Sequence, residues 1–149
     1  MRRTIALLFA GLIGSPANGA AQAVWQADLR IRDISASGVD GGLRLQVVVA
    51  AELGEAMAAR VEIFLPVGVG LKEMAPGCVP GPNPQGVSDL QARVICRLGD
   101  LPPRSSREMH VVTTAPPPGI PSRFGAVALS DTPDPRPGNN FAERELPSP

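Results

Sequence analysis

Apolar and polar residues alternate along most of this chain, and the alternation has the period of two that a half-buried β-strand requires. The clearest case is Leu43–Leu53. Leu43, Leu45, Val47, Val49 and Ala51 share one face, while Arg44, Gln46 and Glu52 share the other. The run predicts a central strand. Before it, Val24–Ser37 carries Leu29 and Ile31 between Arg30 and Arg32, then breaks register at Asp33-Ile34. A bulge there would return Ile34 to the core face. After it, Val61, Ile63 and Leu65 alternate inward within Arg60–Leu65, and Pro66 ends free donation to a ladder. Residues 54–59 are long enough for one helical turn at most.

Further along, Val67–Met74 predicts an edge strand or a new strand after a bend, with Val67, Val69 and Leu71 separated by Gly68 and Gly70. Ala92–Leu98 turns Ala92, Val94, Cys96 and Leu98 inward. Glu108–Ala115 sets Met109, Val111 and Thr113 opposite His110, Val112 and Thr114. Phe124–Ser130 aligns Val127 with Leu129, and Phe141–Leu146 reads as a short final strand. Sixteen of the seventeen prolines fall at Pro66 or later, in clusters between these runs. That spacing is the punctuation of consecutive antiparallel strands. Seven or eight strands and no convincing helix predict an all-β, antiparallel sandwich. Its core must be mostly Val, Leu, Ile and Ala, because aromatic residues are only 3% of the chain. The lone tryptophan, Trp25, is expected to pack at the rim.

The two cysteines, Cys78 and Cys96, bracket 17 residues that begin with a Pro/Gly run and end in a strand-like alternation. Only one pairing is available, and it predicts a disulfide stapling a turn-rich loop to the sheet. A metal-binding or reactive thiol pair would need close C-x-x-C spacing or histidine ligands, which the chain lacks.

Compartment follows from the N-terminus. Arg2 and Arg3 precede the short apolar run Thr4–Gly14, and Ala21-Gln22-Ala23 supplies small residues for cleavage. Residues 1–23 are expected to be a signal peptide, cleaved after Ala23, with Ala20 and Ala21 as alternatives. Residues 24–149 then form one domain, exported to the periplasm or the exterior, with no stable membrane insertion after the signal is removed. Without Arg2 and Arg3 the formal charge is −2, with 12 basic and 14 acidic side chains. No basic stripe or acidic tail points to nucleic acid or to a highly charged partner.

Candidate chemistry is sparse. His110 is the only histidine, expected on the solvent side of its strand, and no G-x-S-x-G sequence provides a nucleophile elbow. Zinc needs three or four N or S ligands. Asp131, Asp134, Asn139 and Asn140 are the oxygen-rich candidates for calcium, though Asx side chains capping their own turn explain them equally well. No catalytic, cofactor-binding or metal residue is assigned, and no cofactor is expected. The remaining reading is a non-enzymatic module with a protein partner, joined at an exposed edge such as the last strand or Val67–Leu71. The alternative is a small secreted hydrolase with an unrecognised site.

Three segments taken in order resemble the bacterial Ig-like conserved repeat known as domain of unknown function eleven, and the related bacterial cell-adhesion domain. They are Ala59–Val69, with its Leu65-Pro66-Val67-Gly68; Val94–Leu101, with Cys96, Leu98 and Leu101; and the closing Asp131–Asn140 loop. The likeness spans about Asp28 to Leu146. It implies an Ig-like sandwich used as a spacer or adhesive module in exported and surface proteins.

Overall fold

Strand β1 (Asp28–Val39) lies antiparallel to β2 (Gly42–Leu53), joined by a tight turn at Asp40-Gly41. Ile31 pairs with Val49 and Asp33 with Val48, so Arg32 is the extra residue of a bulge. Ile34 and Ala36 then stand opposite Val47 and Leu45. The bulge keeps the apolar residues of β1 on one face, as the break in the alternation predicts.

The computed structural model describes residues 25–82 and 90–147. The expected signal peptide and its cleavage site lie outside the described residues, as does most of the Pro/Gly loop before Cys96. Beyond β2 the chain forms β3 (Ala56–Pro66), β4 (Leu71–Met74), β5 (Cys78–Gly81), β6 (Leu90–Leu101), β7 (Ser105–Thr113) and β8 (Arg123–Leu129). A 3-10 turn at Pro137–Asn139 precedes β9 (Phe141–Glu145). Two antiparallel sheets result, ordered β1-β2-β7-β4 and β5-β6-β3-β8-β9. Consecutive strands cross repeatedly from one sheet to the other, which closes both over a single core.

The core holds Leu29, Leu45, Val47 and Val49 from the first sheet against Val61, Ile63, Leu65, Val94 and Cys96 from the second. Phe124 is its one fully buried aromatic residue among those described. Branched aliphatic side chains suit this pleated, interdigitating layer. No helix among the described residues is long and apolar enough to cross a membrane.

Several expectations change. Among the described residues the strands number nine, because Cys78–Gly81 pairs with β6 instead of lying in a loop. Residues 56–59 extend β3 and make no helical turn; Ala58 takes a left-handed φ of 48° within a bulge. The amides freed by that bulge find side chains: Met57 N donates to Thr132 Oγ1 at 3.0 Å and Ala58 N to Asp100 Oδ1 at 2.8 Å. Thr132 in turn donates to Glu55 O. These long-range acceptors explain why a strand survives where the local sequence suggested a turn. Trp25 is 86% exposed and does not pack at the rim. In β8 the core face is Phe124, Ala126 and Ala128, which leaves Val127 and Leu129 on the outer face.

Candidate functional site

The residues singled out in the sequence separate into structural ties and solvated positions. Cys78 and Cys96 form the expected disulfide, directly opposite one another with Cα atoms 3.9 Å apart. The bond therefore joins an edge strand to its neighbour, and does so from the core side, since Cys96 is buried. Such a bond persists in an oxidising, extracytoplasmic environment.

The Asp131–Asn140 segment clasps the start of β1. Asp134 accepts from Leu29 N at 2.8 Å, Arg136 N at 2.6 Å and Asn140 Nδ2 at 3.0 Å. Asp28, fully buried, accepts from Asn139 Nδ2 at 2.9 Å and from the Arg136 guanidinium. Asp131 stands apart, 3.8 Å from Arg60. Three of the four calcium candidates thus converge, with nitrogen donors already on the carboxylates. Among the described residues no group of three or more His, Cys, Asp or Glu could hold a metal ion.

His110 is half-buried on the outer face of the first sheet, opposite Gln46, which is opposite Ser35. Two strand spacings, about 10 Å, separate His110 from that serine. No Ser–His hydrogen bond forms among the described residues.

Three of the four edge strands, β4, β5 and β9, are guarded. Just before β5, Gly77 O accepts from Arg97 N at 3.0 Å, so Cys78–Cys96 is a non-hydrogen-bonded pair, Val79–Ile95 a bonded one and Pro80–Val94 non-bonded again. The Pro80 nitrogen consequently faces the open edge, where it offers no N–H. Strand β4 has only four residues, including Lys72 and Glu73, and β9 carries Glu143, Arg144 and Glu145. These are the devices by which sheets resist edge pairing. The Val67–Leu71 edge is corrected as well: Val69 is fully buried in a connection, and the edge strand starts at Leu71.

What the sequence reading missed is the outer face of the five-stranded sheet. Val79, Ile95, Glu62, Val127 and Phe141 stand side by side across all five strands. Four inter-strand spacings make this row about 19 Å wide. Val79 is 51% and Phe141 52% exposed. In the next row, Phe64 pairs with Gly125, and Phe64, Gly125 and Phe141 line a depression of about 270 Å³ with Arg123 and Glu143 at its rim. A Cβ on Gly125 would stand 3.3 Å from the Phe141 ring, so glycine lets that ring lie close over β8 at the edge of the depression. Arg123 donates to Glu145 at 2.8 Å; that hydrogen bond, then the charge of Glu145, raises the Arg123 pKa above its ordinary value.

The outer face of the four-stranded sheet is different. Ser35, Ser37, Arg44, Gln46, Glu52, Glu108 and His110 cover it, with Val48 and Val112 among them. A larger opening of about 610 Å³ lies at the seam between β1 and β9, lined by Ala36, Arg123, Glu143, Arg144, Glu145, Leu146 and Pro147. Its walls are mainly charged and it is the less suited of the two hollows to an apolar ligand. The signal for the apolar face was present as near-continuous runs, Val61–Leu65 and Val94–Leu98, in which outward positions such as Phe64 and Ile95 are apolar too.

No family model matches the chain. No curated protein sequence matches it. Among solved structures it is similar to a cohesin module from a family 33 glycoside hydrolase of Clostridium perfringens ATCC13124, with a TM-score of 0.44 and 10% identity over 82% of this chain and 96% of that one. It is also similar to AvmM, described as catalysing macrocyclization in alchivemycin A biosynthesis, with a TM-score of 0.41 and 15% identity over 76% and 87% of the two chains. Neither likeness carries an argument about function.

Proposed function

We propose that this chain is an exported, non-enzymatic β-sandwich module that binds a protein partner through the outer face of its five-stranded sheet. The observation that carries the reading is the row Val79–Ile95–Glu62–Val127–Phe141, apolar at four of five positions and open to solvent at both ends. A water-facing sheet ordinarily turns polar residues outward, as the opposite sheet does here. A contiguous apolar patch beside charged residues is the usual mark of an interaction surface. The guards on β4, β5 and β9 favour docking on this face over strand addition there. Export to the periplasm or exterior is supported by the charged and apolar N-terminus and by the disulfide. The three segments similar to the bacterial Ig-like repeat support an adhesive or structural setting.

Site-specific photo-crosslinking tests the reading. A photoreactive amino acid at Phe141 or Val127 is expected to trap a discrete protein partner in the native cell, whereas one at Gln46 or Ser37 is not. Equal trapping from both faces, or none from Phe141 and Val127, overturns it.

A further inference from the structure

We infer that the partner segment taken by this face is acidic as well as apolar, with a carboxylate received between Arg60 and Arg97 and an apolar side chain seated between Phe64 and Phe141. The inference rests on the docking face proposed above and adds the chemistry of what docks there.

The charges on this face are unevenly placed: Glu143 and Glu145 stand with Arg123 on β8 and β9, away from Arg60, Arg93 and Arg97 on β3 and β6. Arg60 and Arg97 stand directly opposite one another on β3 and β6, and like charges in that relation repel. Arg97 is exposed, and among the described residues no carboxylate lies within ion-pair distance of its guanidinium. Arg60 has only distant partners, Glu62 at 4.0 Å and Asp131 at 3.8 Å. Arg93 draws on the same Glu62, at 3.3 Å, and its Nε is buried without an acceptor. Arg60 and Arg93 therefore compete for Glu62, Arg60 reaches Asp131 besides, and Arg97 has neither. A guanidinium pair with free donors is a ready fork for a carboxylate.

The hollow formed by Phe64, Gly125 and Phe141 lies four residues further along the strands from the Arg60–Arg97 pair, about 13 Å away. A segment bridging both features therefore needs an acidic residue and a large apolar one separated by that distance. The flat area from the cation pair to the hollow is roughly 19 by 13 Å, about a third of the ~800 Å² per partner that a standard globular interface covers. A segment fits it better than a second folded copy. Complementary charge would mainly speed association and select the partner, while the hollow holds it.

The test pans a phage-displayed random peptide library against the processed protein. Enriched peptides are synthesised, and their affinities are measured by fluorescence anisotropy at low and high salt. Enriched sequences are expected to combine Asp or Glu with an aromatic or large aliphatic residue and to bind more weakly in high salt. Arg97→Glu should weaken them about tenfold or more. Phe141→Ala should also weaken them, and Arg44→Glu on the opposite sheet should not. Unchanged thermal melts certify that the variants fold.

Peptides without acidic residues, or peptides that bind Arg97→Glu as well as wild type, overturn the acidic chemistry. If Phe141→Ala still weakens those peptides, the docking face itself stands. No enrichment, or binding indifferent to both substitutions, overturns the face as well. Concentration-dependent dimerisation abolished by Arg97→Glu would assign the face to a second copy and overturn the inference. Equal or tighter binding of a single-stranded oligonucleotide or phosphatidylglycerol vesicles, lost in Arg97→Glu, would overturn it in favour of a non-protein anion.

Discussion

The amide of Leu29 donates to Asp134 Oδ2 at 2.8 Å across 105 residues of sequence. With Ala27 N on Pro133 O at 3.0 Å, it fastens the first described strand to the loop before the last one. The clasp holds a strand whose other edge alone is paired in its sheet. Asp134→Ala removes an acceptor serving three donors and leaves the Leu29 amide, in a fully buried residue, without its partner. A loss of about 2–3 kcal/mol in unfolding free energy is expected by urea denaturation. A loss under about 0.5 kcal/mol, the range of an ordinary surface substitution, would show that the clasp is not stabilising.

The same clasp bears on calcium. The carboxylates of Asp28 and Asp134 are occupied by nitrogen donors, one of them the Arg136 guanidinium, and an ion would have to displace these. Melting temperature is expected to be the same in calcium and in chelator. A rise with calcium would instead identify Asn139 Oδ1 and Asn140 Oδ1, which are buried and without hydrogen-bond partners, as ligand atoms.

Reduction of Cys78–Cys96 should release β5 first, because that strand has four residues and a neighbour on one side only. Closing a loop of this length contributes about 3 kcal/mol in the chain-entropy model. The sandwich should persist, since β6 keeps its pairing with β3. Hydrogen exchange is expected to quicken at Val79 and Gly81 on reduction while Val47 and Ile63 stay protected, with a lower melting temperature. An unchanged melting curve would contradict this.

Gly125→Ala separates binding from folding. Its new Cβ would lie 3.3 Å from the Phe141 ring, and that ring is half-exposed and free to give way. Alanine is better tolerated than glycine within a strand, so stability should change by less than about 1 kcal/mol in either direction. The hollow would be shallower, and any ligand seated between Phe64 and Phe141 should bind more weakly. A stable variant with undiminished binding at this face would remove Gly125 from the site.

Much of the fold was legible in the residues taken in order. Alternation in Leu43–Leu53 identified the central strand and its inward face, the break at Asp33-Ile34 located a bulge, and two cysteines admitted one pairing. These are local signals, because a pleated strand with one buried face imposes a period of two on its own residues. Tertiary structure decided the rest. Strand β8 turned Phe124, Ala126 and Ala128 inward although Val127 and Leu129 looked equally suited, since register against β3 is set by packing and not by hydrophobicity alone. Ala58 was held in a bulge by Asp100 and Thr132, acceptors 42 and more residues distant. The apolar row from Val79 to Phe141 drew one residue from each of five strands, with no two of the five adjacent in sequence. Which strands neighbour one another is a property of the closed sandwich, so that face existed only once the sheet had formed.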